Sequence, residues 1–203
     1  MRATASSPGP LVSSWAELVA VLAPPVPGER AHDVHVRLRA GATFIMESQL
    51  VIRQRAVRLV GEEIRPSRPI RPPILRALPE VESALVVEGE AGGLLLQDLR
   101  LEASGGAATG GPWDPTTKPG HCSPQLRGAV ACHSSAALEI VRCEIVGGRV
   151  VVGGTGLDTD PQPASATLRD CTLTDSAQEG LFVWGGGSAS VEGGAIRRCA
   201  SDG

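Results

Sequence analysis

Apolar positions change their period along this chain. Near the start, Trp15, Leu18, Val19 and Leu22 recur at i, i+3, i+4 and i+7, which is one stripe of an amphipathic helix. Ser14-Trp15-Ala16-Glu17 before it has the spacing of a capping box, with the serine oxygen accepting from the third helical amide and the glutamate reaching back to the cap. Pro24-Pro25 ends the pattern, so the expected helix runs over 14–23 with one face to bury. Beyond the prolines the period falls to two. Val34, Val36 and Leu38, then Leu50 and Ile52, then Val57 and Leu59 up to Gly61 predict three short β segments. Five prolines between Pro66 and Pro79, with arginines between them, predict a loop over 65–80. Strand character resumes at Ala84-Leu85-Val86-Val87.

From there the chain repeats itself. LLLQDLRL (94–101), LEIVRCEI (138–145), ATLRDCTL (166–173) and ASVEGGAI (189–196) superpose, so that Leu101, Ile145, Leu173 and Ile196 coincide, as do Leu99, Cys143, Cys171 and Gly194. Ile145 and Leu173 lie 28 residues apart, and Leu173 and Ile196 lie 23 apart, which suits one turn of a solenoid with loops of unequal length. A second series, Val130-Ala131-Cys132, Val150-Val151-Val152 and Leu181-Phe182-Val183-Trp184, falls between the first. Each member follows Gly128, Gly148 or Gly180, where a tight corner calls for glycine's backbone angles.

This alternation of x-L-x-x-C-x-I strands with G-[IVL]-x-V strands resembles the right-handed parallel β-helix of pectate-lyase-like proteins, and 37–63 is similar to that family's first coil. The resemblance extends over residues 11–203 and implies a single-stranded, all-β solenoid, with the helix at 14–23 as the lid of its N-terminal end and 1–10 as a disordered tail. Cys199 to Gly203 registers on Ser176 to Gly180, after which the earlier coil continues with a strand, so the expectation is a solenoid truncated at its C-terminal end. Repeats of this kind encode stacking rather than chemistry.

Composition fits thin coils. Hydrophobic residues make up 42% and aromatic residues only 2%, with no tyrosine, so small aliphatic side chains must fill the core. A net charge of −3 excludes the basic footprint of a general nucleic-acid binder. Eighteen arginines accompany the single Lys118; scattered along the chain, they read as composition bias rather than as an anion-binding patch. No signal-peptide pattern or long apolar run occurs, which predicts no membrane partner. Five cysteines at uneven spacings form neither a disulfide framework nor a paired zinc site; they read as reduced, buried thiols and lean toward an intracellular compartment.

Candidate chemistry is sparse. His121-Cys122 and Cys132-His133 supply zinc-ligand residue types, but neighbours on a strand point to opposite faces, so no metal site is expected. Asp158, Asp160 and Asp170, with Asp175 nearby, are the candidate catalytic carboxylates, although aspartate also favours corners for its backbone hydrogen bonds. The resemblance implies that lyases of this fold hold Ca²⁺ in acidic clusters and use an arginine base, while its hydrolases pair carboxylates. The hydrolase motifs are absent, and Gly120-His121-Cys122 matches only two residues of a Gly-His-Gly. Trp113 and Trp184 are the candidate sugar-stacking residues. The expected function is a non-catalytic β-helix module that binds a polysaccharide or a protein partner through its lateral faces and loops, without a cofactor. The alternative is a polysaccharide lyase or glycoside hydrolase, incomplete in this chain and using Ca²⁺ in the lyase case.

Overall fold

The computed structural model describes residues 9–23, 32–53, 55–62, 71–81, 83–89, 92–103, 128–153 and 163–200. After β1 (Leu11–Val12) and α1 (Trp15–Val21), the strands wind in threes. The first coil comprises β2 (Val34–Leu38), β3 (Thr43–Met46) and β4 (Leu50–Arg53), and the second β5 (Ala56–Gly61), β6 (Ile74–Ala77) and β7 (Leu85–Glu88). The third holds β8 (Gly93–Gln97), β9 (Arg100–Ala103) and β10 (Val130–His133); the fourth holds β11 (Ala137–Val141), β12 (Glu144–Val146) and β13 (Val150–Gly153). The fifth holds β14 (Ser165–Arg169), β15 (Thr172–Thr174) and β16 (Leu181–Trp184), followed by β17 (Ser188–Glu192) and β18 (Ala195–Arg197).

Strands at the same place in successive coils pair in parallel, giving a seven-stranded sheet β1-β2-β5-β8-β11-β14-β17, a six-stranded sheet β3-β6-β9-β12-β15-β18 and a five-stranded sheet β4-β7-β10-β13-β16. The fold is therefore all-β, with three parallel sheets of stacked strands, consistent with a β-helix-like solenoid. Alternate residues face inward and form aliphatic columns. Val36, Leu59, Leu96, Ile140 and Leu168 stack in the seven-stranded sheet, and Phe44, Leu75, Leu101, Ile145 and Leu173 in the six-stranded one; all are buried.

The aligned repeats superpose in space as they do in sequence. Leu94, Leu138, Ala166 and Ala189 share one column, and Leu101, Ile145, Leu173 and Ile196 share another. Each repeat is nevertheless two strands separated by a corner, because Asp98, Arg142, Asp170 and Gly193 adopt left-handed backbone angles (φ 55°, 49°, 52° and 71°). Within the expected loop over 65–80, residues 74–77 form β6, its first amide hydrogen-bonded to Ala42 of the first coil. Proline supplies no amide to a ladder, yet Pro72 and Pro73 precede the strand and leave its own ladder intact.

The glycines before the second strand series act for a different reason from the expected one. Gly128, Gly148 and Gly180 are not among the residues of positive φ. A β-carbon there would lie 2.7 Å from the Arg149 carbonyl oxygen, 2.7 Å from the Ala103 β-carbon or 2.6 Å from Ile196 Cγ2. Close packing against main chain or an alanine β-carbon, rather than backbone angle, favours glycine at Gly128 and Gly148, while at Gly180 the neighbour is a side chain that can give way.

The helix forms where its cap predicts. Ser14 is extended and its hydroxyl accepts from the Glu17 amide at 3.2 Å, while Glu17 turns back to the Ser13 amide at 2.6 Å, one residue earlier than the expected partner. Leu18 and Leu22 enter the core and α1 packs on β3, an edge strand of the six-stranded sheet, whereas Val19, expected in the same stripe, is 41% exposed. Residues 1–8 of the expected tail lie outside the described residues, as do residues 104–127 of a second loop expected over 103–127, where a long insert separates the strand ending at Leu101 from the one starting at Ala129. Among the described residues no helix is long and apolar enough to cross a membrane.

Candidate functional site

The outward positions of the three sheets carry the polar chemistry. On the six-stranded sheet, Ile74, Arg100 and Glu144 share one column, and Arg76, Glu102 and Val146 another. Side chains so placed are lateral neighbours across strands, close enough for direct ion pairs. Arg76 donates through Nε to Glu102 at 2.6 Å, Arg100 donates through Nε to Glu102 at 2.8 Å, and Arg100 Nη1 reaches Glu144 at 2.9 Å. Arg71 and Pro72, just before β6, complete a groove of about 390 Å³ over these residues. No carboxylate of the described residues lies within ion-pair distance of Arg71. Three arginines that look scattered in the sequence are thus gathered by the winding against two glutamates.

Partial burial raises the Glu102 carboxyl, but the hydrogen bonds and charges of Arg76 and Arg100 outweigh it and hold it below the usual carboxylate range. Asp98 behaves alike: burial raises it, and Arg142, bonded through two nitrogens at 2.7 Å each, with Gln97 brings it below its ordinary value. Asp175 is lowered by hydrogen bonds from Arg198 and Thr174. These groups are held as anions at neutral pH, the reverse of what a general acid requires.

Asp170 stands exposed at the first corner of the fifth coil, and Asp175 stands at the next corner, with β15 between them. The two therefore occupy different edges of the solenoid. Asp158, Asp160 and Trp113 lie outside the described residues, as do His121 and Cys122. Trp184 ends the outward column Arg53, Glu88, His133, Gly153 of the five-stranded sheet. Its indole lies against Gly153, where any β-carbon would overlap the ring, so this face of the tryptophan is occupied by the coil beneath. In the same column Arg53 pairs with Glu88. Burial lowers the pKa of His133, while the Glu88 charge and a hydrogen bond to the Gly153 backbone oppose the shift.

Cys132 and His133 face opposite sides of β10, as alternation requires: Cys132 is buried in the core, and its thiol contacts the Ala136 carbonyl oxygen at 3.4 Å. Among the described residues no three His, Cys, Asp or Glu side chains are grouped to hold a metal ion. Burial pushes the thiols of Cys132 and Cys143 up to about 12. Alkylation at pH 8 is therefore expected to mark Cys199 in the native protein, and Cys132 and Cys143 only after unfolding, as read by peptide mass spectrometry. Labelling of Cys143 at the rate of Cys199 would contradict the burial of the Cys143 thiol.

Sequence reasoning missed the groove, although part of its signal is present: Arg100 and Glu144 occupy the same place in the aligned repeats 94–101 and 138–145. Arg71 and Arg76 were hidden among prolines that break any simple periodicity. No protein-family model, curated protein or solved structure matches the chain.

Proposed function

We propose that this chain is a non-catalytic repeat module of the right-handed, pectate-lyase-like β-helix kind, which binds a polysaccharide or a protein partner through a lateral face. The groove lined by Arg71, Arg76, Arg100, Glu102 and Glu144 is the observation that carries this reading. Right-handed winding follows from the strong preference of parallel crossover connections for that hand. Binding rather than catalysis is favoured because the groove's carboxylates are held by arginines, and Glu102 is held as an anion, whereas glycoside hydrolysis needs a carboxyl that stays protonated beside one that does not.

Incubation with polygalacturonate and neutral glucans, with and without Ca²⁺, tests this. The expected result is no new unsaturated or reducing ends under either condition. Ca²⁺-dependent release of unsaturated products would overturn the module reading in favour of a lyase.

A further inference from the structure

We infer that the groove on the six-stranded sheet receives an acidic, extended segment of a protein partner, a choice of ligand that rests on the module reading above. Charge balance distinguishes this groove from the other ion pairs of the lateral faces. At the corners, Arg142 is matched by Asp98 and Arg198 by Asp175, one cation to one anion, and Arg169 faces two glutamates, Glu139 and Glu192. In the groove the ratio reverses, with three guanidinium groups to two carboxylates and Arg71 unmatched among the described residues.

The two glutamates orient the arginines without using them up. Arg76 is bonded through Nε and Arg100 through Nε and Nη1, so that among the described residues the terminal nitrogens of Arg76 and all those of Arg71 are left to a further carboxylate in the forked geometry that guanidinium favours. Because these ion pairs already restrain Arg76 and Arg100, binding costs less side-chain entropy than it would with free arginines. The remaining lining is small and aliphatic: Pro72 and Ile74 border the groove, and Ile45, 36% exposed, lies next to Arg76 in its outward column.

Among the described residues no aromatic ring lines the groove, so these residues offer a sugar no stacking platform there. An extended peptide of alternating acidic and apolar residues matches both parts of the lining. The groove crosses three coils, β6 to β9 to β12, a distance of roughly 10 Å at about 4.8 Å per coil, which about three extended residues span.

Fluorescence polarisation with a labelled octapeptide of four Glu-Leu repeats, its Gln-for-Glu counterpart and labelled polygalacturonate tests the inference. The glutamate peptide is expected to bind at least tenfold more tightly than the glutamine peptide and than polygalacturonate, and to weaken as salt rises. Arg71→Gln combined with Arg76→Gln is expected to remove at least tenfold of that affinity with the thermal midpoint unchanged. Arg71→Gln alone, at an exposed position, should weaken binding severalfold if the double variant proves unstable. Equal binding of the two peptides, or an unaltered affinity in Arg71→Gln, overturns the inference. Tighter binding of polygalacturonate also overturns it while leaving the module reading in place, whereas that reading falls only if products are released.

Discussion

Replacing Ile140 by alanine is expected to cost about 2–5 kcal/mol, because it empties the middle of an inward column in which Leu96 lies below and Leu168 above. Neighbours in stacked coils are held by their own ladders and cannot collapse into the space, so both the transfer term and the cavity term should appear. Val191 occupies the same column one coil beyond Leu168, yet it is 49% exposed, and Ile196 and Val183 in the other two columns are 47% and 41% exposed. Val191→Ala should therefore cost less than about 1 kcal/mol. Urea unfolding of the two variants, read by circular dichroism, makes the comparison within one column. Similar losses at both positions would mean that the terminal coil is covered in solution.

The second large effect is expected at Gly61. It ends β5 between the first and third coils, and a β-carbon there would overlap the backbone carbonyl of Asp98 and lie 3.2 Å from the Pro73 ring. Both obstacles are main chain or proline ring, which cannot turn aside as a flexible side chain would. Gly61→Ala should therefore push two coils apart at a cost of about 3 kcal/mol. Gly89→Ala provides the contrast. Gly89 has φ of 89° but open space where its β-carbon would be, so only conformational strain of about 1–2 kcal/mol is expected. Thermal midpoints of the two variants decide the matter, and a larger fall for Gly89→Ala would show that backbone angle outweighs crowding here.

These two sites also mark how much of the fold could be read from residue order. The register of 94–101 on 138–145, 166–173 and 189–196 was legible because each coil must place the same apolar residues inward, and that demand survives in the sequence. The corner inside each repeat was not, since Asp98, Arg142 and Asp170 take left-handed angles without the glycine that usually signals them. Strand β6 was concealed because a strand entered directly from Pro72-Pro73 keeps its ladder while its neighbours read as loop. The groove was out of reach for a related reason. Its arginines stand at positions 71, 76 and 100, and only the pairing of β6 with β9 makes them neighbours. Of the carboxylates first singled out for their residue type, Asp170 and the nearby Asp175 lie on separate corners, because the three-residue strand β15 runs along a face between them.

The corner that carries Asp98, Arg142 and Asp170 has a bearing on assembly. Successive coils place like apolar residues inward, so the aliphatic columns alone do not distinguish the third coil stacked on the fourth from the third stacked on the fifth. The sign of charge alternates along this edge, with Arg142 bonded to Asp98 and close enough to feel the Asp170 carboxylate. Omitting one coil would bring Asp98 against Asp170, replacing a bidentate ion pair by two like charges at one coil's separation. The alternation thus adds to coil order a discrimination that the aliphatic columns lack, since a skipped coil would set like charges against each other along this edge.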